Sequence, residues 1–491
     1  MQKLFFLTIF LFIFLTACTR LPGPEVFSPT ELETPLTEDI PPQQLDPAIV
    51  SEVDTSLRYT DSDILGIQIK NYTSEEELFF FENAGARWSR FDRFHWDLIE
   101  PDPQTPSVYD WSSVDETGLI NAADRGMGVI GIILYTPPYA QKYPGSICGP
   151  IVENQLERFG DFLHALVTRY SQAPYNIKYW EIGNEPDVDY AYANRHSFGC
   201  WGDPGEPYFG GGYYAEMLKI VYPKIKAADS EAQVLIGGLL LDCDPVNLPE
   251  TSPGSGVLRD CTSSLYLDGI LENGGGAYFD GISFHAYDYY WFREGKYSNS
   301  NWHSSSDHNG SVTIPKASYL QQRLAAYAVP GKYLMNTESG LICGRDGTEP
   351  GCQTEEFART KAAYTVHSNT VAFQLGLRAN IWYSLMGWRA SELLDANYTP
   401  LPAYDAYRFN ASLLSNAEFK REVFDYPQLF VYEFGTPSIN LWILWSRSGE
   451  LENVQLPAVP SDVYDIFGNW ITPSQDINVN YSPLYLVFTI Q

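Results

Sequence analysis

Two short segments carry a carboxylate where an apolar stretch ends and a loop former follows: Trp180-Glu181-Ile182-Gly183-Asn184-Glu185-Pro186-Asp187 and Leu334-Met335-Asn336-Thr337-Glu338-Ser339-Gly340. A carboxylate in such a place is costly unless it is paired or used. If the fold brings Glu185 and Glu338 together, two carboxyls converging in one apolar setting point to acid and base work. Taken singly, each glutamate also fits a structural hydrogen-bonding role. Glu181 alternates away from the motif and reads as a carboxylate of the protein interior, and Asp187 and Asp189 read as turn formers. Asp242 and Asp244 flank Cys243 without a calcium-loop pattern, so neither a metal ion nor a cofactor is expected.

The elements that must position these groups follow from hydrophobic patterning. Eight candidate strands run at 65–69, 86–91, 128–135, 177–182, 233–238, 279–285, 333–337 and 379–385. A helix lies between the third and fourth, with Leu156, Phe159, Leu163, Leu166, Val167 and Tyr170 on one face, and another spans about Glu355 to Leu375. Near-continuously apolar strands alternating with helices predict an α/β fold, a TIM (β/α)8 barrel, because strands covered on both faces lose polar alternation. No glycine-rich phosphate fingerprint follows the first strand, which weighs against an open doubly wound sheet. Beyond residue 411, aromatic and branched segments such as Leu429 to Glu433, Ile439 to Trp445, Val463 to Ile466 and Leu484 to Ile490 are separated by Ser448-Gly449 and Gly468-Asn469 turns. They predict a small antiparallel β-sandwich over 412–491, after a barrel over 61–411.

The 491 residues are 44% hydrophobic and 15% aromatic, and the net charge is -30. Such a field repels phosphate backbones, so nucleic acid is excluded as a partner. Residues 1–18 read as an export signal: Lys3, then an apolar run from Leu4 to Leu15, too short to span about 30 Å of hydrocarbon. Leu15-Thr16-Ala17-Cys18 resembles a bacterial lipobox, which implies cleavage before Cys18, acylation of its thiol and a lipid-anchored chain facing outside the cytoplasm. Residues 19–60 are polar and proline-rich and predict an extended tether. The six remaining cysteines allow fifteen pairings, of which nearest-neighbour bridges 148–200, 243–261 and 343–352 are the expectation. No Cys-x-x-Cys spacing suggests zinc.

The motif order resembles the clan A glycoside hydrolases, most of all family 39 and its relatives. Asn184-Glu185-Pro186 ends strand four and Glu338 ends strand seven. Gly85-Ala86-Arg87-Trp88-Ser89-Arg90-Phe91-Asp92, then Trp96 and Ile99-Glu100-Pro101, is similar to the second-strand signature. Tyr135-Thr136-Pro137-Pro138 resembles the third-strand ending, His285-Ala286-Tyr287 the sixth-strand His-x-Tyr, and Trp382 the strand-eight tryptophan. The resemblance implies a retaining glycosidase with Glu185 as acid and base and Glu338 as nucleophile. Arg90 and Tyr287 would hold Glu338 as an anion, Asn184 would bind the sugar 2-hydroxyl, His285 would contact substrate or orient a neighbour, and Trp382 would form a platform beneath a sugar ring. Aromatic loops at 190–214 and 287–302 are expected to stack on further sugar rings, about half of them touching substrate. A noncatalytic carbohydrate-binding protein and a transglycosidase are the rival readings. Sugar identity, endo or exo action and oligomeric state are not legible.

Overall fold

The computed structural model describes residues 63–192, 199–246, 261–302 and 310–490. The export signal, Cys18 and the tether expected at 19–60 lie outside them. Eight parallel strands close into a barrel: β1 (Leu65–Ile67), β2 (Trp88–His95), β3 (Gly128–Leu134), β4 (Tyr179–Asn184), β5 (Gln233–Leu239), β6 (Gly281–Tyr290), β7 (Tyr333–Ile342) and β8 (Ala379–Trp382). Each pairs with the next, and β8 returns to β1. Helices follow the strands on the outside; Leu156–Tyr170 buries the face expected of it, and Glu355–Gln374 is capped by the Thr354 hydroxyl accepting from the Phe357 amide at 3.2 Å.

Side chains alternate across a strand, so the interior is built in rungs. Trp88, Ile130, Leu235, Tyr333, Met335, Ala379 and Ile381 form one buried cluster, with Tyr179 packed against it. One inward-facing step further, Trp88 gives way to Arg90 and Tyr179 to Glu181. The barrel is thus plugged by hydrocarbon below and charged above. One irregularity then sets the site. Phe284 pairs with Asn336 but His285 pairs with Glu338, which leaves Thr337 as the extra residue of a bulge. That bulge moves Glu338, rather than Thr337, onto the face reached from Met335.

Strands β6 and β7 run five residues past the expected ends, to Tyr290 and Ile342. The reason is pairing: His285, Ala286, Tyr287, Asp288 and Tyr289 each have a partner on β7, and Tyr289 and Tyr290 also pair with the two-residue strand Tyr297–Ser298.

After the helix Pro402–Leu414, an antiparallel six-stranded sheet contains Leu429–Gly435, Ile439–Ser446 and Leu484–Thr489, and a two-stranded sheet pairs Glu452–Gln455 with Asp476–Val479. Period-2 alternation divides the second of these strands. Leu441, Ile443 and Trp445 join the barrel's core, while Trp442 and Leu444 join the sandwich's own. Trp445 stacks on His367 of the helix Glu355–Gln374 with ring centroids 4.3 Å apart. The disulfides are Cys148–Cys200, Cys243–Cys261 and Cys343–Cys352, as nearest-neighbour pairing predicts.

Candidate active site

Six of the expected residues meet in one charged cluster: Arg90 of β2, Asn184 and Glu185 at the end of β4, His285 and Tyr287 of β6 and Glu338 of β7. Arg90, on β2 and 2% exposed, is the hub. Its guanidinium donates to Glu338 and Glu181 and, at 2.9 Å, to Asn184 Oδ1. The planar fork suits an array of oxygens that a single ammonium could not serve. Burial opposes its charge, but Glu181 and Glu338 raise its pKa well above normal, so Arg90 is a permanent cation. Glu181 is fully buried, accepts from Arg90 and from the Gly238 amide at 3.2 Å, and so is the interior carboxylate expected of it.

Glu185 leaves β4 through a left-handed turn, with φ of 86° at Gly183 and 54° at Glu185 itself, and the Glu185 amide donates to Gly238 O at 2.9 Å. A glutamate in that region is uncommon and marks a position fixed by its surroundings. His285 Nδ1 lies 2.8 Å from Glu185 Oε1 and 3.6 Å from Glu338 Oε2. Gly238 is required by this approach, since a Cβ there would stand 2.2 Å from His285 Nε2. The Tyr287 hydroxyl donates to Glu338 Oε2.

The two glutamates therefore meet different surroundings. Burial, then the charge of Glu338, then that of Asp187, pushes the Glu185 carboxyl well above the usual range. Burial also raises Glu338, but the Arg90 charge and hydrogen bonds from Tyr287 and Arg90 pull the other way. The first proton accordingly belongs on Glu185. Burial, reinforced by Arg90 and Lys316, holds His285 far below its ordinary pKa, so its imidazole is neutral. One oxygen of Glu185, one of Glu338 and a nitrogen of His285 all lie within 4.8 Å of one another. That trio could ligate a cation, yet both Glu338 oxygens already accept from Arg90 and Tyr287, and a guanidinium on the same carboxylate competes with any metal.

Trp382 requires a correction. It faces outward from β8, is fully buried, donates from its indole nitrogen to Ser391 O at 2.8 Å and packs near Tyr364, so it offers no face to a sugar. Alternation is the cause: its neighbour Ile381 occupies the barrel interior. Trp388, six residues on and 40% exposed, instead sets its ring 5.2 Å from Tyr287 and 5.6 Å from Tyr383. Sequence reasoning missed it, although an aromatic in the loop after β8 was the available signal. Among the loop aromatics, Trp201, Tyr214, Tyr290 and Trp302 are buried, whereas Trp291 and Phe292 are exposed. Asp187 is buried and accepts from the Leu240 and Leu241 amides at 2.9 and 2.8 Å, a tie between the ends of β4 and β5 rather than a ligand. Burial lifts its pKa to about 6.

Neither a family model nor a curated protein matches the sequence. Solved structures do match in fold. A family 39 glycoside hydrolase from the gut symbiont Bacteroides cellulosilyticus WH2 is 18% identical with a TM-score of 0.61, over 89% of this chain and 82% of that one. A monomeric beta-xylosidase from Caulobacter crescentus CB15 is 15% identical with a TM-score of 0.54, over 88% and 98%. A GH30 endoxylanase from Clostridium papyrosolvens C71 is 12% identical with a TM-score of 0.54, over 88% and 97%.

Proposed function

We propose that the chain is a retaining glycoside hydrolase acting on extracellular oligo- or polysaccharide through Glu185 and Glu338. The observation that carries this reading is the approach of a buried and a largely buried carboxyl with opposed surroundings, an oxygen of each within 4.8 Å of the other. Retention requires carboxyls roughly 5 to 5.5 Å apart, close enough for one to attack the anomeric carbon. Glu338, ionised against Arg90 and Tyr287, attacks that carbon while protonated Glu185 gives its proton to the departing glycosidic oxygen. The product is a glycosyl ester on Glu338. Esterification removes the negative charge that is the second cause of the high Glu185 pKa, so Glu185 now ionises more readily. It takes a proton from water, the water oxygen bonds to the anomeric carbon, and Glu338 leaves as carboxylate. Asn184, fixed by Arg90, is the candidate for the sugar 2-hydroxyl, and His285 orients Glu185.

The similar structures named for xylan chemistry make xylo-oligosaccharides and aryl xylosides the first substrates to try. Three disulfides agree with an exported protein. The proposed plan is signal 1–18, acylated Cys18, tether 19–60, barrel 61–411 and sandwich 412–491.

The test is a panel of aryl glycosides and plant or microbial polysaccharides, with Glu338→Gln run in parallel. The expected result is hydrolysis with retained anomeric configuration by the wild type, and near-complete loss in the folded variant. Comparable turnover in both removes Glu338 from the mechanism. Products in the presence of an added sugar acceptor separate hydrolysis from transglycosylation, and no turnover on any substrate favours a binding protein.

A further inference from the structure

A buried lysine beneath the site has no place in the mechanism above. Lys316 lies in the first turns of the helix Thr313–Ala326, on the face that also buries Tyr319, Leu320 and Leu324, and is 3% exposed. Its ammonium donates to Leu240 O at 2.7 Å and to His285 O at 2.8 Å, and it makes no ion pair among the described residues. Beyond these carbonyls it meets the Trp302 ring, 5.8 Å away, and the more distant charge of Asp242; burying an ammonium so is costly, and an apolar side chain at this helix position would avoid the cost.

Its contacts close a ring through the catalytic strand ends. The Asp187 carboxylate holds the Leu240 amide, the Leu240 carbonyl holds Lys316, Lys316 holds the His285 carbonyl, and His285 Nδ1 meets Glu185, two residues from Asp187. The ends of β4, β5 and β6 are thus tied through one ammonium. The charged and titratable groups that act on it or on Glu185 are Asp187, Asp242, Asp288, Glu338, His285 and Arg90. Lys316 is the cation on the Glu185 side of the site, as Arg90 is on the Glu338 side.

We infer that Lys316 is a positioning residue for the acid–base glutamate: it pins β5 and β6 so that His285 meets Glu185, and it places a positive charge behind Glu185 for the step in which that residue must be an anion. Burial lowers the Lys316 pKa to about 8, so this charge is present below that pH and fades above it. This rests on the glycosidase reading. The charge also agrees with the direction in which Lys316 acts on Glu185, downward against burial and Glu338.

The test uses Lys316→Met, which removes donor and charge, and Lys316→Gln, which retains a donor without charge. Glu185 must be protonated in the first step, which sets the high-pH limb of kcat/KM. It must be ionised in the second, which sets the low-pH limb of kcat for activated aryl glycosides. Loss of the cation raises the Glu185 pKa in both states, so both limbs move up together. The expected shift is roughly 0.5 to 1 pH unit, less than the 1 to 3 units of an opposite charge in direct contact. A merely structural role lowers kcat/KM and moves neither limb. Should Lys316→Met fail to fold, Lys316→Gln carries the test. An infrared titration of the Glu185 carboxyl, assigned by its loss in Glu185→Gln, reads the same shift without turnover. An unmoved titration in a folded variant overturns the inference; a shifted titration in a protein that hydrolyses no glycoside upholds it and rejects the glycosidase reading instead.

Discussion

Arg90→Met removes the cation that Glu338 and Glu181 share. The side chain is 2% exposed and bridges Glu338, Glu181 and Asn184, so its loss strands the buried Glu181 and the largely buried Glu338 without a cation. Removing one partner of a buried ion pair costs about 3–5 kcal/mol, a large share of the roughly 5–15 kcal/mol that holds a folded protein together. The catalytic effect has a definite sign. In the proposed mechanism Glu338 attacks only as an anion, and the guanidinium is the first influence opposing the rise that burial imposes on it. Without Arg90 its pKa climbs further, and the low-pH limb of kcat/KM moves up by about 1–3 units, the usual worth of an opposite charge in contact. Arg90→Lys keeps the charge but not the fork, so the limb should stay closer to its place while kcat falls as Asn184 and Glu181 lose their shared donor. Urea unfolding with the disulfides intact and a pH–rate profile of each variant supply the measurements. A folded Arg90→Met protein that loses under about 1 kcal/mol and keeps its low-pH limb would refute the claim that this guanidinium holds the nucleophile ionised.

Two further outcomes follow from the same geometry. Glu185→Ala should lower kcat/KM by roughly 10²–10⁴ for poor leaving groups and far less for dinitrophenyl glycosides, whose departure needs little protonation; equal losses across leaving groups would count against the acid role. Asp288 is buried beside the site, accepts from the Val312 amide and the Tyr364 hydroxyl, and is pushed up to about 7 by burial. A raised carboxyl penalises the folded state progressively as pH climbs from about 4 to about 7, by at most about 4 kcal/mol. Asp288→Asn should therefore raise the melting temperature at pH 8 with the gain fading toward pH 4, and a pH-independent difference would show that ionisation of Asp288 is not penalised.

Much of the barrel was legible because parallel strands covered on both faces leave an uninterrupted apolar record, and Glu185 and Glu338 interrupt it. What failed did so where that record becomes ambiguous. His285 to Tyr289 mix polar and apolar types at the barrel mouth, which reads as a strand ending, yet β7 pairs with them rung by rung. Trp382 and Trp388 are chemically equivalent on paper; only the inward turn of Ile381 shows which one is spent on the core. The extra residue that aims Glu338 depends on pairing between β6 and β7, which no local pattern encodes. Lys316 sits at helical spacing with Tyr319 and Leu320, a charged residue on an apolar face, and that mismatch was visible in principle.

The two proposed roles cannot be exchanged between the glutamates, and the reason is the Arg90 charge and hydrogen bonding rather than burial. Both carboxyls are desolvated, so burial alone would leave them alike. Glu338 accepts from a cation and from a phenol, both of which favour its charged form. Glu185 has instead a neutral imidazole, whose Nδ1 can either accept from the protonated acid or donate to the carboxylate. That imidazole would serve both halves of the proposed cycle, in which Glu185 first gives a proton and then takes one, whereas the donors on Glu338 suit a group that must begin and end as an anion. A site built with the guanidinium on Glu185 would hold its acid deprotonated at the outset and have no proton for the leaving group.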